Sequence, residues 1–161
     1  MGALNILLVD DDRNLATTLS HGLRKAMGKA ISVIFCASGD EAFALLATQT
    51  FDLVISDFHM LGISGLELLK KIRQAHPKAD LVLITAYGTD ALEHEVHGLG
   101  IGYITKPFEL PILVQLIQDL IKGKELRDGK ENPSPAAVRE DKADPGYLMT
   151  KLIVDPAAPK P

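Results

Sequence analysis

The chain has 161 residues, 47% hydrophobic and 24% charged, with a formal net charge of -4. That length accommodates one ordinary soluble domain plus a tail, and the acidic balance disfavours nucleic acid or an anionic membrane as a partner held by bulk electrostatics. No apolar run approaches the length of a membrane span, and the lone Cys36 can form no internal disulfide. The start, "MGALNILLVDDD", enters an apolar stretch without a basic region or cleavage site, so a cytoplasmic chain is expected.

From residue 4 to 122, short apolar runs alternate with longer amphipathic segments, the pattern of repeated strand and helix units on a parallel sheet. Residues 5–10 (NILLVD) predict a first strand rich in Ile, Leu and Val, as a strand covered on both faces requires. A helix over 13–27 follows, with Leu15, Leu19, Leu23 and Met27 on one stripe, Asp12 as N-cap and Gly28 at its end. The run at 31–36 (ISVIFC) predicts a second strand and makes Cys36 a small buried group. Ser38 and Glu41 then have capping-box spacing, opening a helix that carries Ala42, Leu45 and Leu46 toward the sheet.

Residues 51–56 (FDLVIS) predict the third strand, which stops on Asp57 and a glycine-rich loop. After Ser64 a helix buries Leu66, Leu69 and Ile72 and stops before Pro77. A fourth strand at 80–85 (DLVLIT) leads to a weaker helix, "TDALEHEVHGLG", expected to be the most mobile element. A fifth strand at 102–105 (GYIT) leads to "ELPILVQLIQDLIKG", a helix with Pro111 in its first turn and a stripe of Leu113, Leu116, Ile117, Leu120 and Ile121. His94 and His97 have helical spacing but no third ligand near them, so they read as surface residues, as do His21 and His76. Beyond Lys122 lie most of the nine prolines, and residues 123–161 read as a linker or tail. Its apolar segment at 146–154 (GYLMTKLIV) could add a strand, dock on the domain, bind a partner or stay disordered.

In a parallel α/β sheet, ligands bind outside the carboxyl ends of the strands. The residues found there are Asp10, Asp11 and Asp12 after the first strand, Asp57 after the third, Thr85 and Ala86 after the fourth, and Thr105, Lys106 and Pro107 after the fifth. Each has a plain structural reading: Asp57 and the "DDD" run as caps or turn residues, Thr85 as a backbone-satisfying hydroxyl, Lys106 as a surface cation. Together they suit one site if the first strand is central. Clustered carboxylates repel unless a cation joins them, and oxygen ligands suit Mg²⁺, which takes one or two carboxylates alongside a phosphate oxygen. Phosphoryl chemistry follows, with Asp57 as nucleophile, Mg²⁺ and Lys106 neutralising the equatorial oxygens and Thr85 donating a hydrogen bond.

At this point the chain resembles the receiver domain of two-component response regulators over residues 4 to about 122. "ILLVDDD" is similar to that family's acidic pocket, "DLVISDFHM" to its phosphoacceptor strand, "LITAYG" to its switch-hydroxyl strand and "YITKPFEL" to its lysine-proline turn. The resemblance implies a flavodoxin-like α/β fold: a doubly wound five-stranded parallel sheet in the order 2-1-3-4-5, flanked by five helices, with a Pro-rich tail after it. It implies that Asp10, Asp11, Asp57 and the backbone carbonyl of His59 hold Mg²⁺, that Asp57 is phosphorylated, and that Thr85 and Lys106 contact the phosphoryl group. The Lys106–Pro107 bond is expected to be cis, and Tyr103 to be a switch aromatic that follows Thr85. His59 and Tyr87, each two residues past a reacting group, are expected to tune the lifetime of the phosphate.

The partners implied are a sensor histidine kinase or phosphotransfer protein and a downstream protein target, with no direct nucleic-acid or membrane contact and with a homodimer open. Met60-Leu61 stands where many members have Met-Pro, and Leu99-Gly100 where they often have Gly-Ala. Two rivals remain at this stage: a phosphorylation-independent interaction module, and an aspartate-nucleophile phosphatase. The second lacks an acid two residues after Asp57, where His59 stands.

Overall fold

The computed structural model describes residues 2–128. Strands β1 (Leu4–Val9), β2 (Ile31–Cys36), β3 (Leu53–Asp57), β4 (Asp80–Thr85) and β5 (Gly102–Thr105) alternate with helices α1 (Arg13–Met27), α2 (Gly39–Thr48), α3 (Gly65–Ala75), α4 (Asp90–Gly98) and α5 (Leu110–Asp128). A short 3-10 turn, Gly28–Ala30, follows α1, and Gly28 supplies the positive φ that ends it. All strand pairs are parallel, in the order β2-β1-β3-β4-β5, as expected.

Strand parity sorts the core into two layers. Ile6, Leu8, Leu53, Ile55, Val82, Ile84 and Ile104 face α1 and α5, where Leu19, Leu23, Leu113 and Ile117 cover them. Their neighbours Leu7, Val9, Val54, Leu81, Leu83 and Tyr103 face the opposite side, under α2, α3 and α4. Both faces are therefore covered, which is why the strands read as unbroken apolar runs.

The helix starts follow their caps. The side chains of Asp12, Ser38, Ser64 and Thr89 accept from backbone N–H groups in the first turns of α1, α2, α3 and α4. β1 runs Leu4–Val9 rather than 5–10 and β3 ends at Asp57 rather than 56; two boundaries differ by more than one residue. β3 begins at Leu53 rather than 51, because the Asp52 carboxylate accepts from the Asn5 N–H at 2.7 Å and makes an entry turn of that residue. α5 continues past Lys122 to Asp128, through Lys124, Glu125, Leu126 and Arg127, all good helix formers. α4 buries only Val96 completely, in line with its weak apolar pattern. The expected tail from residue 129 onward, with its apolar segment at 146–154, lies outside the described residues. Among the described residues no helix is long and apolar enough to cross a membrane.

Candidate functional site

The parallel register brings the carboxyl ends of β1, β3, β4 and β5 to one rim: Val9 pairs with Ser56, Asp57 with Ile84, and Thr85 with Thr105. Parity then decides which side chains meet. Asp10, Asp57 and Lys106 continue the α1/α5 side of their strands, and these three converge. Lys106 Nζ donates to Asp57 Oδ1 at 2.6 Å and stands 3.8 Å from Asp10 Oδ2. The second oxygen, Asp57 Oδ2, accepts from the His59 N–H at 2.9 Å. Asp10 and Asp57 are both buried, with Lys106 more open between them.

The loop after β3 is shaped by this crowding. Gly65 opens α3 directly against the end of β3, and a Cβ there would lie 1.8 Å from the Asp57 carbonyl oxygen. Its N–H donates to the Phe58 carbonyl at 2.9 Å, closing the loop, and Gly62 takes a positive φ of 87° within it. The Lys106–Pro107 peptide is cis. Beside Asp57, the His59 ring meets Phe58 edge-on at 4.9 Å between centroids and Tyr87 edge-on at 5.5 Å. His59 and Tyr87 are both exposed.

The electrostatics fit a hard cation. Burial raises the pKa of Asp10; the Asp12 N–H, which donates to its Oδ1 at 2.9 Å, lowers it; Asp57 raises it again. Asp11 is exposed, and its Oδ2 accepts from the Leu61 N–H at 3.3 Å. Among the described residues no three acidic, His or Cys side chains are gathered closely enough to enclose a metal unaided. That suits Mg²⁺, which keeps several waters and takes one or two carboxylates. The repulsion felt by Asp10 is the feature a divalent cation would relieve.

A family profile for the response regulator receiver domain matches residues 6–118. The chain belongs to that family. The receiver is 36% identical over 139 residues to the response regulator protein FleR of Pseudomonas aeruginosa, covering 84% of this chain and 28% of FleR. It is 32% identical over 117 residues to the DNA-binding transcriptional regulator NtrC of Salmonella typhimurium, covering 72% of this chain and 24% of NtrC. The chain thus spans about a quarter of the length of these relatives. Among solved structures, the chemotaxis response regulator CheY4 of Vibrio cholerae superposes with a TM-score of 0.65 at 26% identity, covering 73% of this chain and 98% of that one.

Of the receiver residues expected from sequence, the structure brings Asp10, Asp57 and Lys106 into contact, with Asp11 on the adjoining loop. Thr85 is buried at the same rim, but its hydroxyl accepts from the Tyr87 N–H at 3.1 Å and is turned to its own loop. Asp12 is the helix cap that one reading of "DDD" proposed. Cys36 is buried with its thiol pushed up to about 11, mainly by burial, so it is an inert packing group. Gly65 was not singled out from sequence. Its signal is position: a glycine just after a capping serine serves neither helix propensity nor capping, so close approach is its remaining use.

Proposed function

We propose that this receiver accepts a phosphoryl group on Asp57 from a phosphohistidine of a sensor kinase or phosphotransfer protein. The observation that carries the reading is the buried Asp57 carboxylate, bonded to Lys106 Nζ at 2.6 Å and flanked by Asp10. A carboxylate oxygen of Asp57 forms the new bond to phosphorus as the P–N bond of the donor breaks, and the donor imidazole keeps the electron pair. Lys106 follows the negative charge from the carboxylate onto the phosphoryl oxygens. Asp10, Asp11, Asp57 and the His59 carbonyl would hold Mg²⁺, which neutralises charge on those oxygens.

The Thr85 hydroxyl leaves the Tyr87 backbone to donate to the phosphoryl group, and Tyr103 responds to its movement. The face made by α4, β5 and α5 thereby shifts between two populations and controls a protein target, as a homodimer or through another partner. The receiver unit ends with α5, the segment after it leads to the output, and the whole works in the cytoplasm without touching nucleic acid itself. An interaction module that used no phosphoryl group would have no reason to bury Asp10 against repulsion from Asp57.

Rapidly quenched intact-mass measurement tests this, with an acyl phosphate as donor. Wild type with Mg²⁺ should gain one phosphoryl group; Asp57→Asn, or wild type with a chelator, should gain none. No gain from either the acyl phosphate or a phosphohistidine donor would overturn the proposal.

A further inference from the structure

A switch aromatic needs two positions, so whatever makes room for the inward one sets the balance between them. Tyr103 lies inward, 6% exposed in the apolar layer beneath α3 and α4. Its hydroxyl reaches the underside of the exposed loop between β4 and α4, where the buried Oη has no hydrogen-bond partner among the described residues. Burial and then Glu93 push this phenol's pKa up, while the Thr89 backbone draws it down without meeting hydrogen-bond geometry. Leaving a buried hydroxyl unpartnered is unfavourable, so packing rather than polar bonding holds the ring inward.

That packing is close at Gly88. A Cβ built there would lie 2.6 Å from Tyr103 Oη, 3.6 Å from its Cζ and 3.0 Å from Thr105 Cγ2. Gly88 is not one of the glycines with positive φ, so its backbone conformation admits any residue. The ring beneath it does not. Gly88 also contributes no group to the cluster of Asp10, Asp57 and Lys106.

We infer that Gly88 is the seat of Tyr103: its missing side chain admits the ring, and a side chain there would drive the ring outward and bias the output face. The regulatory half of this inference rests on Tyr103 being the switch aromatic of the receiver. The structural half needs no phosphorylation.

The test uses the full chain labelled with ¹³C in its three tyrosine rings, assigned by single Tyr→Phe replacements and exposed to a soluble paramagnetic chelate. In wild type the ring of Tyr87, 73% exposed, should relax strongly and that of Tyr103 should be protected. In Gly88→Ala the Tyr103 ring should relax comparably to Tyr87, and protection unchanged from wild type would overturn the inference. Stability covers the case in which the variant folds poorly. Gly88→Ala should raise the unfolding constant about tenfold beside Tyr103, but only about twofold in a Tyr103→Phe background, where the clashing oxygen is gone. Equal losses in both backgrounds, or collapse of both, would also overturn it. Phosphoryl uptake by the same samples should match wild type in Gly88→Ala; no uptake even in wild type would sink the receiver chemistry and leave the ring result standing.

Discussion

At the scale of single residues, the rim divides aspartates by what their carboxyls touch. Asp12 and Asp57 both follow a strand in sequence and both read as caps. Asp12 receives two backbone N–H groups of α1, whereas Asp57 receives a lysine and the N–H of His59. Sequence placed Asp10 and Asp57 at one rim, where both lie within reach of Lys106, because strand ends and parity are legible in apolar runs. It could not show that the Thr85 hydroxyl turns to Tyr87, since a rotamer depends on packing. Asp10 supplies a pH prediction. Its folded pKa is raised above the ordinary 3.8 by burial first and by Asp57 and Asp11 as well, so the folded state binds its proton more tightly than the unfolded one. That contribution is fully present below the unfolded value and is lost as pH rises through the folded one. In metal-free buffer Asp10→Asn should therefore be more stable than wild type at neutral pH. The gap should close below about pH 4, as read by urea denaturation across pH. His59 and Tyr87 flank the acceptor with edge-on rings, and His59→Ala or Tyr87→Ala should speed loss of the phosphoryl group by opening a path for water. Unchanged hydrolysis rates in both variants would rule out that role.

At the scale of elements, most of the helices and strands were readable, and the misses have local causes. The Asp52 side chain takes a backbone partner from β1, so β3 starts late. α5 runs on through Gly123 because Lys124, Glu125, Leu126 and Arg127 after it favour a helix. What no pattern in the sequence displays is the brace between α3 and the start of β5. Arg73 on α3 donates to the carbonyls of Pro77 at 3.2 Å, Ala79 at 3.0 Å and Gly100 at 2.8 Å, tying the entry of β4 to the turn after α4. Its Nε is buried without a partner among the described residues. Arg73→Ala should cost about 2 kcal/mol in urea unfolding, the scale of one charge-assisted hydrogen bond, here mainly the part-buried one to the Ala79 carbonyl. Arg73→Lys should recover only part of it, because an ammonium cannot span three separated acceptors as a planar guanidinium does.

At the scale of the whole molecule, the sheet order places β1 between β2 and β3, so the acid-bearing strand ends sit at the point where strand order reverses. One side of the sheet carries Asp10, Asp57 and Lys106; the other carries Thr85 and Tyr103 under α3 and α4. The carboxylate–lysine cluster and Tyr103 are thus on opposite sides of the sheet, joined through the ends of β4 and β5. Among the described residues, both apolar layers are built between Leu4 and Ile121. The most direct test of the central claim is where the phosphoryl group is attached. Borohydride reduces an aspartyl phosphate to homoserine, so peptide sequencing by mass spectrometry after phosphorylation and reduction reads the position. Homoserine is expected at position 57, with Asp10, Asp11 and Asp12 intact. Homoserine at one of those three with Asp57 untouched, or at no aspartate of a chain that has gained phosphate, would contradict it.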